Sequence, residues 1–459
     1  MTQPSIVWLR RDLRLADQPA LHAAARQGPV VCVYVLDDET AKHRAMGGAS
    51  RWWLHHSLAD LAQRLEQIGS RLILRRGQCE EQLAQVAQEI GAKTVHAIRH
   101  YEPWWRNAER AVGKVLDLVC HDGNFLLPPG TVLTGAGQPY KIYTPFSRAL
   151  LEHYQPGDPL PVPILTAPPA WPASDRLADW NLLPAAPDWA AGIAAAWDVG
   201  EQAAQDRLDW WVGEVSAYAT GRNLPSQDLT SRLSPHLHFG EISPLQVWRA
   251  LDQCRGEGAD IFRKELIWRD YAQNVICQFP DYGQASYRAE FAQLAWRDPP
   301  TDEQARADLA AWQQGRTGYP IVDAGMRQLW HTGWMHNRVR MIAASFLVKH
   351  LLIDWRNGER WFWDTLVDAD YAANAVNWQW TAGSGVDANM FVRIMAPLTQ
   401  SRKFDAGAYI REWVPELAAL PDVEIHDPAP LRRHGYPPMI VGHREGRERA
   451  LAAYREAKG

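Results

Sequence analysis

The chain has 459 residues, with 48 Lys and Arg against 53 Asp and Glu for a formal charge of −5, and it is 46% apolar and 22% charged. That composition excludes a disordered chain and a collagen, and the length leaves room for two or three domains with sizeable cores. A weakly negative charge also excludes a generally basic nucleic-acid coat, though not a local basic groove, because binding follows the field at the site.

Trp is the abnormal residue: 23 of 459 positions, several-fold above ordinary usage, so the aromatic content asks for an explanation beyond filling a core. The five Cys (32, 79, 120, 254, 277) are odd in number, widely spaced and without a CxxC pair. Neither a disulfide framework nor a zinc ribbon is indicated, and a reducing cytosol fits. The N-terminus is charged within ten residues and no run of eighteen apolar residues occurs, so the expectation is a cytoplasmic protein, neither exported nor membrane-spanning.

In chain order, Ile6–Leu9, Val30–Leu36, Leu72–Leu74 and Thr94–Ile98 read as buried strands. Between them Leu54, Leu58, Leu61, Leu65 and Ile68 step by four and three, with Ser50 as a cap and Gly69 as a stop; Leu83, Val86, Ala87 and Ile90 repeat the pattern before Gly91. Strands alternating with helices predict a doubly wound parallel sheet over residues 1–125. RRDLRL follows the first strand where a glycine-rich turn would be needed, so a phosphate-cradling site there is not supported. Nine prolines between Pro156 and Pro187 forbid regular structure and place an interdomain linker at 126–187. From 188 to 459 the pattern is helical: Leu208, Trp211, Val212 and Val215; Ile261 to Phe279; Val339, Ile342, Ala343, Phe346 and Leu347. No solenoid repeat is present. The expected architecture is an N-terminal Rossmann-like α/β domain, a long linker and a C-terminal all-helical domain.

Several motifs carry chemistry. Gly383-Ser-Gly385-Val-Asp-Ala388 satisfies GxGxxA but follows a helix, so a dinucleotide loop is not expected there. No metalloprotease, P-loop, hydrolase or thiol-redox motif occurs. Glu265, Trp268 and Arg269 share one helical face, either an amphipathic surface or a stacking platform for a flat ligand. Asn337 and Met341 are four apart, an amide beside a soft apolar contact, unless Asn337 is merely an N-cap. Asp368 and Asp370 flank a helix start, as caps or as ligands of a cofactor. Asn374, inside an Ala-rich apolar helix, needs a partner for its amide, and a bound polar heterocycle is a candidate. Thr230 to Pro244 supplies hydroxyls, an Arg and backbone amides suited to a pyrophosphate, or to a helix-capping loop.

These residues resemble the cryptochrome/photolyase family, and within it the cyclobutane pyrimidine dimer photolyases, over nearly the whole chain. The match runs from VWLRRDLRLAD at 7–17 through YTPFSRAL at 143–150 and TSRLSPHLHFGEISP at 230–244, and is densest in ELIWRDYAQN and at 318–355. The resemblance implies FAD, active as FADH⁻, held by Tyr218, Thr230, Ser231, Arg232, Leu233, Ser234, Phe262, Arg269, Arg340, Asp368, Asp370 and Asn374, with Arg340 paired to Asp368 and Asn374 facing flavin N5. Plant cryptochromes carry Asp at that last position; a neutral amide suits an anionic reduced flavin, whereas another carboxylate favours its protonation. Glu265, Trp268, Asn337, Met341 and Trp380 match the family's dimer pocket. The implied reaction is photochemical: an electron passes from excited FADH⁻ to a flipped-out dimer, two cyclobutane bonds break, and the electron returns. Eukaryotic enzymes for the (6-4) lesion carry a second His where this chain has Asn337, a departure that favours the cyclobutane substrate. Arg222, Arg269, Arg338, Arg393, Gln400, Arg402 and Lys403, beside Glu265, Trp268 and Asn337, resemble the DNA-contacting rim, each phosphate contact adding about 0.9 to the salt slope. Trp296, Trp355 and Trp378 match the electron-transfer chain. GASRWWLHHSLADL at 48–61 and YEPWWRNAER at 101–110 resemble the bacterial branch close to plant cryptochromes, implying a methenyltetrahydrofolate antenna at Trp52 and Glu102, with a core role for Trp52 and a deazaflavin antenna or no antenna as the alternatives. The expected partner is DNA containing pyrimidine dimers, bound by a monomer. The rival is a cryptochrome photoreceptor, including the DASH type. Asn374, the complete pocket set and the absence of a long polar tail before Gly459 favour repair.

Overall fold

The computed structural model describes residues 3–40, 43–388 and 391–458. Five parallel strands, β1 (Ser5–Leu9), β2 (Val30–Leu36), β3 (Leu72–Arg76), β4 (Thr94–Ile98) and β5 (Asp117–His121), form one sheet in the order β3-β2-β1-β4-β5. Val7 is in register with Cys32 on one side and His96 on the other. β1 and β2 are buried along their whole length, which is why they read as uninterrupted apolar runs. β5 escapes the sequence reading because it is an edge strand of mixed, half-exposed residues. β3 extends past Leu74 through Arg75 and Arg76.

The crossover helices include Gly48–Gln67, Cys79–Ile90 and Pro103–Val115. Ser50 is not a cap as expected: Gly47 holds the N-cap position, and Ser50 sits buried in the first turn. Gly91 closes the second of these helices in the left-handed conformation, where a side chain would be strained.

The linker is not structureless throughout, since Tyr143–His153 is a helix. Its proline-rich part is irregular apart from the short turn Leu177–Trp180. That part is tied along the α/β domain: Val30 N–H donates to Thr166 O and Asp175 N–H to Leu74 O.

Contact density divides the chain into two compact units. One comprises the chain to Ala190 with Trp197–Ser216 and Ser231–Pro280; the other comprises Ala191–Ala196, Ala217–Thr230 and the chain from Asp281. This division differs from a boundary at 187/188, and buried side chains explain it. The Glu201 carboxylate accepts from Leu15 N–H at 2.7 Å and Ala16 N–H at 2.9 Å, and Trp53 Nε1 donates to Glu241 at 2.9 Å. Residues 201–216 and 231–280 are thereby fastened to the α/β domain. The second unit is helical, with Pro320–Thr332, Asn337–Ser345, Trp355–Thr365, Tyr371–Ala382 and His443–Lys458 as its main elements. The Asn337–Ser345 helix continues into one π turn, Phe346–His350. Gly383 closes Tyr371–Ala382 at φ 82°, so the GxGxxA string begins as a helix stop. Much of the Trp excess is core: Trp8, Trp53, Trp211, Trp312 and Trp355 are wholly buried.

Within the first unit, the Glu257–Gln278 helix grips the start of the linker. Buried Asp270 accepts through one oxygen from Leu126 N–H at 2.8 Å and Leu127 N–H at 3.2 Å, and Tyr271 and Asn274 donate to Lys141 O and Tyr140 O. Burial outweighs the attraction of Arg269 and these two bonds, and lifts the Asp270 carboxyl from 3.8 to about 7. A carboxyl that holds its proton more tightly when folded removes stability as pH rises from about 4 to about 7, by up to about 4 kcal/mol. Asp270→Asn keeps an oxygen for both N–H groups and should flatten that part of the curve in urea unfolding at pH 5 and 8. Equal pH slopes in variant and parent would exclude this role.

Candidate functional site

In the first unit, the 22-residue Glu257–Gln278 helix starts after Gly256, with Glu257 and Asp260 in its first turn, where carboxylates meet the positive end of the helix dipole. One face packs inward through Leu266, Ile267 and Tyr271; on the other Glu265 is half-buried and Trp268 is 37% exposed. Tyr143, which sequence reasoning did not single out, stacks on Trp268 with ring centroids 3.4 Å apart and planes 2° apart. It takes one face of the indole and fixes its rotamer, so a flat ligand meets the other face. The clue was present in YTPFSRAL, but only the fold brings that segment to the helix. Phe262 is buried edge-on to Trp211 at 5.1 Å. Arg269 does not project as a free rim cation: its guanidinium donates to Asn124 O and Leu237 O and lies 4.7 Å over the Phe125 ring. Of the hydroxyl run, Ser231 O accepts from Arg207 Nε at 2.7 Å, Arg232 is left-handed at φ 51°, Leu233 is buried, and Ser234 opens the Ser234–Phe239 helix.

In the second unit, Arg340 donates to both oxygens of Asp368, at 3.1 and 2.9 Å, and through Nε to Met335 O at 2.7 Å. This planar fork leaves the guanidinium one orientation. Asp370 is a cap, accepting from Ala373 N–H at 2.8 Å. Asn374 finds its amide partner within the protein: Nδ2 donates to Glu359 O at 3.0 Å and Glu359 Oε1 at 2.9 Å. Those bonds orient the side chain and leave Oδ1 for a ligand. Asn337 is not the N-cap of Asn337–Ser345; His336 is, its Nδ1 accepting from Arg338 N–H at 3.2 Å. The Asn337 amide is therefore exposed and not engaged in capping. One turn on, half-buried Met341 accepts a long contact from Arg338 Nη1 at 3.6 Å. Trp380 is half-buried, Thr230 likewise, and Tyr218 lies under Arg222, 5.2 Å from its ring centroid.

Comparison with known proteins decides what these sets belong to. The family model "DNA photolyase" matches residues 5–166, and "FAD binding domain of DNA photolyase" matches 262–456. A deoxyribodipyrimidine photo-lyase of Agrobacterium fabrum is 47% identical over all of this chain and 98% of its own. The chain belongs to the photolyase/cryptochrome family. A crystal structure of a bacterial class III photolyase from Agrobacterium tumefaciens superposes with TM-score 0.94 at 46% identity, covering 100% of this chain and 98% of that one. Cryptochrome-1 of Arabidopsis thaliana is 35% identical over 97% of this chain and 69% of its own length. The chain is a flavoprotein lyase of light-driven DNA repair and binds FAD.

The donor set fits that cofactor. Hydroxyls at Thr230, Ser231 and Ser234 around Arg232 suit a pyrophosphate, and an Arg340 fixed by Asp368 with an Asn374 carbonyl oxygen in reserve suits the polar edge of an isoalloxazine. The tryptophans expected to carry electrons are placed as follows. Trp378 is buried, edge-on to Phe362 at 5.0 Å and to Trp312 at 6.3 Å. Trp355 is buried with Nε1 donating to Ser286 at 3.1 Å, and Trp296 is half-buried with Nε1 donating to Phe291 O at 3.3 Å. The indole beside Trp378 among the described residues is thus Trp312, which sequence reasoning did not assign to this set.

The expected basic rim in the second unit is partly anchored. Arg338 donates to Asn223 Oδ1 at 3.1 and 2.6 Å and lies 4.6 Å over Phe404, while Arg393, Arg402 and Lys403 are exposed and Gln400 is half-buried. Arg338 is held below the usual guanidinium pKa by burial and then by the charge of Arg222. In the α/β domain, Glu102 is buried and paired with Arg11 at 2.6 Å, and Trp52 is buried against His56 at 4.4 Å. A cavity at the end of β1 and β2 is lined by Arg10, Arg11, Asp37, Arg44, Trp104 and Trp105 among others. Neither Trp52 nor Glu102 is among the described residues that line it; Glu102 is paired with Arg11, which does.

Proposed function

We propose that the chain splits cyclobutane pyrimidine dimers in DNA under blue or near-UV light. FADH⁻ would supply one electron to the dimer and recover it after the two ring bonds break, so no net oxidation occurs. The protein's share is to extract, hold and polarise the lesion. Flipping it out of the duplex costs a few kcal/mol, less at a distorted site, and stacking on Trp268 and Trp380 offsets this at about 1–3 kcal/mol per base. The Asn337 amide reads a base edge, Met341 fills the adjoining apolar space, and Glu265 bonds a pyrimidine and steadies the negative charge it acquires. Asn374 keeps a neutral side chain towards the flavin.

The observation that carries this reading is the capping of Asn337–Ser345 by His336. Because the imidazole satisfies the helix start, Asn337 presents its amide outward, as base recognition requires. The test is light-dependent restoration of two thymines in duplex DNA carrying one dimer, with dithionite-reduced holoprotein and a dark control. Failure with FAD bound and reduced would move the chain to the photoreceptor reading or to repair of another lesion. Glu265→Ala should retain FAD yet lose repair by roughly tenfold at saturating DNA, equivalent to one charge-assisted bond of about 1.4 kcal/mol. An unchanged yield would remove Glu265 from the mechanism.

Methenyltetrahydrofolate is the proposed antenna. The ion pair of Glu102 with Arg11 supports a role for Glu102 in orienting that guanidinium, whereas the burial of Trp52 supports a core role for the indole. We place the protein in the cytoplasm as a monomer; no helix among the described residues is long and apolar enough to cross a membrane.

A further inference from the structure

The π turn Phe346–His350 is buried at all five side chains, including Lys349 at 1% exposure. A π turn inside an α-helix is rare and is found frequently at functional sites. Lys349 lies within this turn. Its Nζ donates to the backbone oxygen of Arg393 at 3.0 Å and lies 6.0 Å from the ring centroid of Phe391. An ammonium taken out of water is costly, and burial pulls this one down to about 7. Packing alone would be served as well by Met or Leu.

The segment it grips has a buried root and an exposed tip. Phe391 is 2% exposed, stacked on Tyr454 of the His443–Lys458 helix with centroids 4.8 Å apart, and edge-on to Phe291 at 5.5 Å. Val392 is 55% exposed and Arg393 is exposed. The neighbouring residue of the π turn fastens the same C-terminal helix: His350 Nε2 lies 2.8 Å from His443 Nδ1, and Arg449 donates to His350 O. One π turn therefore holds both the root of the segment and the helix against which that root packs.

We propose that Lys349 is a positioning residue for DNA binding, its ammonium fixing the backbone at Arg393 so that this exposed guanidinium is pre-set for a phosphate. The inference rests on the reading of Arg393 as a DNA contact. The physical gain is pre-organisation: a backbone already ordered does not lose that freedom on binding.

The test uses the FAD-loaded full chain and a duplex carrying one thymine dimer, with affinity followed by fluorescence anisotropy over a salt series. Lys349→Met should weaken binding about tenfold through the lost pre-organisation, and lower the magnitude of the salt slope by about 0.9, one phosphate contact. Arg393→Ala should do the same, and the double variant should bind no worse than Arg393→Ala alone. A merely structural lysine would lower stability without changing the slope and without coupling to Arg393. Losses that add in full in the double variant overturn the proposal, as does parental affinity in either single variant. In those cases a parent that still binds and repairs the dimer leaves the repair reading standing; a parent that fails to bind it removes both. Should Lys349→Met not accumulate as holoprotein, Tyr454→Leu removes the ring beneath Phe391 and should show the same coupling to Arg393. An additive loss there also overturns the proposal.

Discussion

Trp378→Phe should abolish the light-driven reduction of oxidised FAD while leaving repair by chemically reduced protein in place. The indole is 2% exposed and wedged against Gly358, where an added Cβ would lie 2.1 Å from Trp378 Cη2. It sits in a dry, rigid setting bounded by Phe362 and Trp312. Such a setting suits electron transfer, since little solvent has to reorganise when the ring changes charge. Phe keeps an aromatic plug in the space and loses the easily oxidised indole. Flavin absorbance under illumination with an external thiol reads the first effect, and dimer splitting after dithionite reduction reads the second. Undiminished photoreduction would show that the electron enters without Trp378. Loss with Trp312→Phe but not with Trp355→Phe would trace the route through the indole beside Trp378.

Arg340→Met should destabilise the protein by about 3–5 kcal/mol and release FAD, because it takes a bidentate guanidinium away from the buried carboxylate of Asp368. That carboxylate is 4% exposed and takes both guanidinium branches of Arg340. Arg340→Met with Asp368→Leu removes both charges and should recover most of the stability but not the flavin. Thermal midpoint and flavin content per chain distinguish these. Single and double variants of equal stability would mean that the pair is not what holds the Arg340 helix to the Asp368 loop.

The sequence reading reached the elements whose cause is local. β1 and β2 are apolar runs because both faces of the sheet are covered, and the Cys79–Ile90 helix ends where Gly91 alone tolerates a positive φ. β5 escapes the sequence reading, and the cap of Gly48–Gln67 differs from it, for the opposite reason. An edge strand of mixed polarity has no distinctive period, and a Ser beside a helix start need not be its cap. The resemblance named Arg340 and Asp368 as a pair, and the two residues, 28 apart, meet.

By itself the sequence determined the α/β-then-helical class, the aromatic and polar residue types of the site, and the spacing that places Glu265 and Trp268 on one helix face. Tertiary structure alone decided which of those groups remain available. It commits Arg269 to the carbonyls of Asn124 and Leu237, satisfies the Asn374 amide with Glu359, frees Asn337 by capping with His336, and turns Lys349 inward to Arg393. The physical reason is that a hydrogen bond depends on separations of about 3 Å between groups that can lie far apart along the chain. Periodicity reports which face a residue occupies; only the packed fold reports what stands opposite it.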